Sequence, residues 1–228
     1  MVLDNSNFMN TVSVIYQDEH IVAVNKPSGM FVHRTTLADE SVFLLQTVRD
    51  LIGKHLYPVH RIDRPTNGLV VFALSSESAA SLCDNFRYNR IEKKYLAVVR
   101  GWVENGTIDY SLLNERGNKR NEAVTDYLLK QKKEYPFAVG KHQTSRYSLV
   151  EVSPKSGRMH QIRRHFKHIF HPVIGDTTYG DGTHNRIFRE QFSRHNLQLQ
   201  AVSLSLSHPD TNKFLTISLP TDMQLTLP

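Results

Sequence analysis

Two runs rich in β-branched residues, Val12–Tyr16 and Ile21–Asn25, stand either side of the polar Gln17-Asp18-Glu19-His20 and predict a hairpin, which Lys26-Pro27-Ser28-Gly29 stops. Between Ser41 and Leu56 the apolar positions 42, 45, 48, 51 and 52 follow helical spacing, with Ser41 able to cap and Gly53 an end signal. The unbroken apolar run Leu69–Leu74 predicts a buried strand. Ser75 or Ser76 can then cap a helix that buries Ala79, Leu82, Cys83 and Phe86. Lys94–Arg100 predicts a further strand, closed by Gly101. Charge rises over 114–122 and again over 131–134, and both stretches read as exposed loops around a short strand, Ala123–Leu129. Ser145–Val152 predicts another strand. Beyond it Met159, Ile162, Phe166, Ile169 and Phe170 recur at intervals of three, four, three and one, which predicts one apolar helix face ended by Pro172. The other faces carry Arg158, His160, Gln161, Arg163, Arg164, His165, Lys167 and His168 as a basic surface. A shorter amphipathic segment, Asn185–Arg194, precedes strands running from Leu197 to Ser218. Strands and helices interleaved with several hairpins predict an α+β fold, a mixed and mostly antiparallel sheet with packed helices.

Composition narrows the class. A chain of 228 residues with 39% hydrophobic content can bury a real core. Its single cysteine, Cys83, rules out an intramolecular disulfide and fits a reducing compartment. No apolar run approaches the roughly 18 residues of a membrane helix, and Met1–Ser6 lacks the basic start and apolar core of a leader, so a soluble cytoplasmic protein is expected. A net charge of +6 points to a polyanionic partner, nucleic acid first, although a generic basic protein fits it equally.

The stretch His60-Arg61-Ile62-Asp63-Arg64-Pro65-Thr66-Asn67-Gly68 sets one carboxylate between two arginines on a loop ahead of the buried strand. Neighbouring guanidinium groups favour the charged carboxylate. A plain turn-capping Asp with solvated arginines has the same composition, so the loop alone does not decide. Glycine-rich phosphate loops and cysteines at zinc spacing are both missing, so no cofactor is expected. His160, His165, His168 and His171 could suggest a metal hydrolase, but arginines and a lysine lie between them and no acidic cluster accompanies them, so no metal is expected. His60-Arg61-Ile62-Asp63 is not the contiguous kinase triplet, and D-F-G is missing.

The loop is similar to the H-R-L-D-x-x-T-S-G motif of the RluA family of RNA pseudouridine synthases. Four further stretches resemble that family in the right order: Asn25–Arg34 (K-P-x-G-x-x-V-H), Lys93–Ala97 (K-x-Y-x-A), Ser156–Arg163 (T-G-R-x-H-Q-I-R) and His171–Asp176 (H-P-I-x-G-D). Asn67 replaces the usual Ser, and Gln200 stands where a late motif has His. The resemblance implies the pseudouridine synthase fold in a single catalytic domain over 12–220, without a separate N-terminal RNA-binding domain. It implies Asp63 as catalytic carboxylate, as nucleophile or as base, with Arg163 pairing it and Tyr95 stacking on the flipped base. Arg61 would fill the space the base leaves, and His60 would shape the loop. Arg64, Arg158, Arg164 and Lys167 would contact phosphate, with His160 and Gln161 completing the RNA-binding set. Arg64-Pro65 resembles family members acting on tRNA, which implies a tRNA substrate, uridine 65 in the T-stem region, and nothing suggests an obligate dimer, so a monomer is expected. The rivals are a ribosomal RNA substrate and a non-catalytic RNA-binding protein, which would have no reason to surround one Asp with Arg61, Tyr95 and Arg163.

Overall fold

The structure, a computed structural model, describes residues 12–33, 42–114 and 116–228, so Ser41 and its proposed cap lie outside the described residues. The chain groups into two compact units, one running up to Lys93 and including Ala201–Met223, the other made of Lys94–Gln200 and Gln224–Pro228.

In the first unit, β1 (Ser13–Gln17) and β2 (Ile21–Lys26) form the expected antiparallel hairpin. Asp18 closes its turn by accepting from the backbone N–H groups of His20 (2.7 Å) and Ile21 (2.9 Å) and from the Tyr16 hydroxyl (2.6 Å). Helix α1 (Leu44–Ile52) ends at Gly53, whose φ of 66° lets its N–H reach the Arg49 carbonyl. A two-residue strand, β3 (Tyr57–Pro58), was not foreseen; it pairs with β4 (Asn67–Ala73). Residues 69–73 are entirely buried because β4 sits inside the sheet, which is why its apolar run does not alternate. Helix α2 (Ser76–Arg87) starts where Ser75 accepts from the Ser78 N–H at 3.1 Å. Of its four expected core residues Leu82 alone is fully buried; Ala79, Cys83 and Phe86 are half-buried.

The second unit holds β5 (Glu92–Arg100) from Lys94 onward, β6 (Gly106–Asp109), the small hairpin β7 (Leu112–Leu113) with β8 (Arg120–Asn121), β9 (Val124–Tyr135) and β10 (Ser145–Pro154), in the sheet order β5-β10-β9-β6. The charged stretch 131–134 is therefore strand rather than loop. It pairs with 146–149 of β10, beyond the four residues that β6 covers, and lysines are tolerated there because that margin faces water. Helix α3 (Gln161–His168) presses Ile162 and Phe166 onto Val99, Val150 and Val152, and each buried side chain of this size contributes about 2 kcal/mol.

Helix α3 is shorter than its apolar periodicity suggested, and its faces differ. Gln161, Arg163 and His165 are buried and do not belong to the basic surface. Phe170 lies beyond the helix with φ of 63° and is 77% exposed, so it does not belong to the core-facing stripe. Helix α4 (Gly182–Phe192) is capped by Asp181, whose carboxylate accepts from Thr183 and His184. Strand β11 (Leu199–Ser207) then gives Leu199 and Gln200 to the second unit and the rest to the first, where β12 (Phe214–Ser218) pairs with it. The architecture is α+β, with antiparallel strand pairs and, among the described residues, four α-helices.

Candidate active site

In the first unit the Asp63 loop is clasped by the segment that follows β2. Lys26, wholly buried, donates from Nζ to the carbonyl oxygens of Pro27 (2.9 Å), Met30 (2.7 Å) and Arg64 (3.0 Å). Three carbonyls match the three N–H bonds of an ammonium group. Burial draws the Lys26 pKa down from 10.5 to about 7, with the Asp63 carboxylate acting the other way and the Arg64 charge adding to the fall. Ser28 Oγ donates to the Pro65 carbonyl at 2.7 Å, and the Gly29 N–H donates to the Arg64 carbonyl at 2.9 Å. Arg64 returns the contact, donating from Nε to the Gly29 carbonyl at 3.0 Å and covering the Phe31 ring. These links tie residues 26–30 of the Asn25–Arg34 stretch to the His60–Gly68 stretch, two of the five singled out above.

His60 anchors the other end of the loop. Its Nε2 accepts from the Val71 N–H at 2.9 Å and its ring stacks on Phe86 at 4.4 Å. Burial, with the Lys93 charge nearby, pushes its pKa down to about 3, so the ring is neutral, as an acceptor nitrogen requires. These contacts pin the start of the loop to β4 and α2. Gly68 has φ of 112°, and a Cβ on it would sit 2.1 Å from the Ala201 carbonyl oxygen. Asp63 is half-buried and Arg61 is exposed, and the Asp63 carbonyl accepts from the Thr66 N–H at 3.1 Å to close the turn.

In the second unit the other stretches converge. Arg163, 4% exposed, pairs with Asp176 through Nε (2.7 Å) and Nη2 (2.9 Å), a two-pronged bond that fixes the guanidinium plane. Burial works to raise the Asp176 pKa, but Arg163 and the N–H groups of Tyr179 and Thr178 hold it below the usual carboxylate range. Asp176 is a residue that sequence reasoning missed. It stood in the quoted His171–Asp176 stretch, and an acid following a basic helix was the signal available. The Ile174 N–H donates to the Val98 carbonyl, joining the same segment to the strand that carries Tyr95.

Gln161 is fully engaged inside the protein. Its Oε1 accepts from Ser156 (2.7 Å) and the Arg158 N–H (3.0 Å), and its Nε2 donates to the Val124 carbonyl and Thr125 Oγ1, both at 3.0 Å. It braces the turn before α3. His160 adopts φ of 53° ahead of that helix, with Nδ1 3.1 Å from the Tyr179 hydroxyl. Arg158 Nε donates to the Glu122 carbonyl, and Arg164 Nη1 to the Leu113 carbonyl at 2.9 Å, so both arginines brace neighbouring backbone. Lys167 is exposed. His165 contacts the Tyr110 carbonyl and His168 stacks on the Tyr110 ring, whereas His171 contacts the Arg100 carbonyl, so the three do not share one partner. Among the described residues no group of three or more His, Cys, Asp or Glu side chains could hold a metal ion, and no helix is long and apolar enough to cross a membrane.

Residues 20–168 match the model of the RNA pseudouridylate synthase family. The chain is 47% identical to a Vibrio parahaemolyticus protein named tRNA pseudouridine synthase C, over 92% of this chain and 91% of that one. It is 48% identical to the Vibrio cholerae protein of the same name, over 90% and 89%. Among solved structures, human RNA Pseudouridylate Synthase Domain Containing 1 superimposes with a TM-score of 0.74 at 23% identity, over 93% of this chain and 84% of that one, and so shares the fold. Human RNA Pseudouridylate Synthase Domain Containing 4 gives 0.71 at 21% identity, over 94% and 90%. With its motifs in family order and its match covering most of the chain, the protein belongs to the RluA branch of the RNA pseudouridylate synthases, which are isomerases.

Proposed function

We propose that this protein converts uridine to pseudouridine in tRNA, at uridine 65, with Asp63 as the carboxylate the reaction requires. The observation that carries this reading is the match, along about nine-tenths of both chains, to proteins named for tRNA pseudouridine synthesis. In the isomerisation the N1–C1′ bond breaks, the base turns, and C5 bonds to C1′. The C5 hydrogen leaves as a proton and N1 gains one, so no electrons are exchanged and no cofactor is called for.

A base within a stem must first leave the helix, at a cost of about a few kcal/mol. Arg61, exposed on the loop, fills the vacated space, since a guanidinium can stack and hydrogen-bond together. Tyr95 stacks on the extruded uracil. Arg163, its plane set by Asp176, keeps the Asp63 carboxylate charged and aimed, and that carboxylate acts on the sugar or base as nucleophile or base. Arg64 and Lys167 meet the backbone.

Tritium release from tRNA labelled at uridine C5 tests the reading. The wild type should release tritium, Asp63→Asn should bind tRNA without releasing it, and a tRNA carrying cytidine at position 65 should release none. Absence of release from any tRNA by the wild type would overturn the substrate, and persistent release from the cytidine-65 tRNA would overturn the position.

A further inference from the structure

We propose that Phe170 is a base-stacking contact for the RNA substrate, displayed at the end of helix α3 outside the Asp63 and Arg163 machinery; this rests on the RNA-modifying function proposed above.

The helix ends in a two-bond turn. The Phe170 N–H donates to the Lys167 carbonyl (3.1 Å), and the His171 N–H reaches back to the Phe166 carbonyl (2.9 Å). This pattern puts Phe170 at the position where glycine is the usual residue, because the left-handed backbone there crowds a Cβ. Phe170 nonetheless holds φ of 63° with its ring 77% exposed. Neither the local backbone nor the core gains from an aromatic side chain at this point. Strain kept where folding does not need it points to a use outside folding.

The support beneath the ring is rigid. Arg100 Nη2 donates to the Phe170 carbonyl at 2.8 Å while Nη1 pairs with Asp181 at 2.6 Å. His171 Nδ1 meets the Arg100 carbonyl at 2.7 Å, and the Arg100 N–H donates to the Pro172 carbonyl at 3.1 Å. These bonds fix the backbone that carries the ring.

The surroundings suit a nucleotide. Lys167 and His168, just before Phe170, are both exposed, and the His168 ring is flat against Tyr110 at 3.6 Å. The His171 ring lies against Gly101, and the next residue, Trp102, is 42% exposed with the Arg146 guanidinium 4.3 Å above its ring. The exposed Phe170 ring, with the Lys167 ammonium three residues before it and a chain net charge of +6, offers a face on which an unpaired base of a polyanionic strand can stack.

Three full-length proteins test this: wild type, Phe170→Gly and Phe170→Tyr. Phe170→Gly should bind unmodified tRNA about tenfold more weakly than wild type, keep its tritium-release rate at saturating tRNA, and melt about 3 °C higher as the strain is relieved. Phe170→Tyr should restore affinity without raising the melting temperature. If Phe170→Gly melts higher yet binds tRNA as the wild type does, the proposal is overturned and the functional reading stands. If light scattering shows wild-type self-association that Phe170→Gly abolishes, with tRNA affinity unchanged, the ring serves a protein contact and the proposal is overturned. A wild type that neither binds nor modifies tRNA would overturn the functional reading and this proposal with it.

Discussion

Lys26 shows how much a single buried charge can organise. It sits under the Asp63 loop with its three donors spent on three carbonyls. Its pKa of about 7 in the folded protein, against 10.5 ordinarily, gives stability a pH dependence of known sign. Between those two values the unfolded chain carries a proton that the folded chain has released, so stability rises with pH across that window. Below about 7 the burial penalty is present in full, and it fades as pH climbs towards 10.5. Urea unfolding of wild type and Lys26→Met should therefore show the wild type gaining on the variant by at most about 1.4 kcal/mol per pH unit above pH 7. A difference, wild type minus variant, that stays flat or falls with pH would mean that Lys26 does not release its proton in this range. At this scale the sequence was partly legible. The Asp63 loop stood out only through its resemblance to a family motif, whereas Asp176 was not assigned as the partner of Arg163, because an ion pair across 13 residues and a helix end leaves no periodic trace.

At the scale of elements, Gly68 fixes where β4 can lie. With φ of 112° and the Ala201 carbonyl where a side chain would start, Gly68→Ala must either displace the backbone of β11 or unseat the start of β4. A loss of about 3 kcal/mol or more is expected in chemical denaturation, and a variant as stable as wild type would show that the close approach is not required. Unbroken apolar runs such as β2 and β4, and the amphipathic helix α2, were readable from their patterns. Two errors had physical causes. Strand β9 carries Gln131-Lys132-Lys133-Glu134 on a water-facing margin, where charge and loop look alike. Helix α3 was read through to Phe170 because apolar spacing carries no penalty for crossing a helix end, and no glycine marks its last turn.

For the whole molecule, binding to a polyanion should follow the disposition of charge rather than its count. Lys167 is exposed, while Gln161 is enclosed, so the two should separate in a salt titration of tRNA affinity. Lys167→Ala is expected to reduce the slope of log affinity against log salt by about 1, and Gln161→Ala to leave that slope alone while lowering stability. An unchanged slope for Lys167→Ala would remove it from the phosphate contacts.

The margin of β9 bears on how the protein behaves when crowded. Beyond the four residues that β6 covers, the strand continues for eight more, with Lys130, Lys132, Lys133 and Glu134 along it. A second chain adding itself there would have to strip water from several ammonium groups to gain its ladder of backbone bonds, and that cost discourages edge-to-edge growth into fibres.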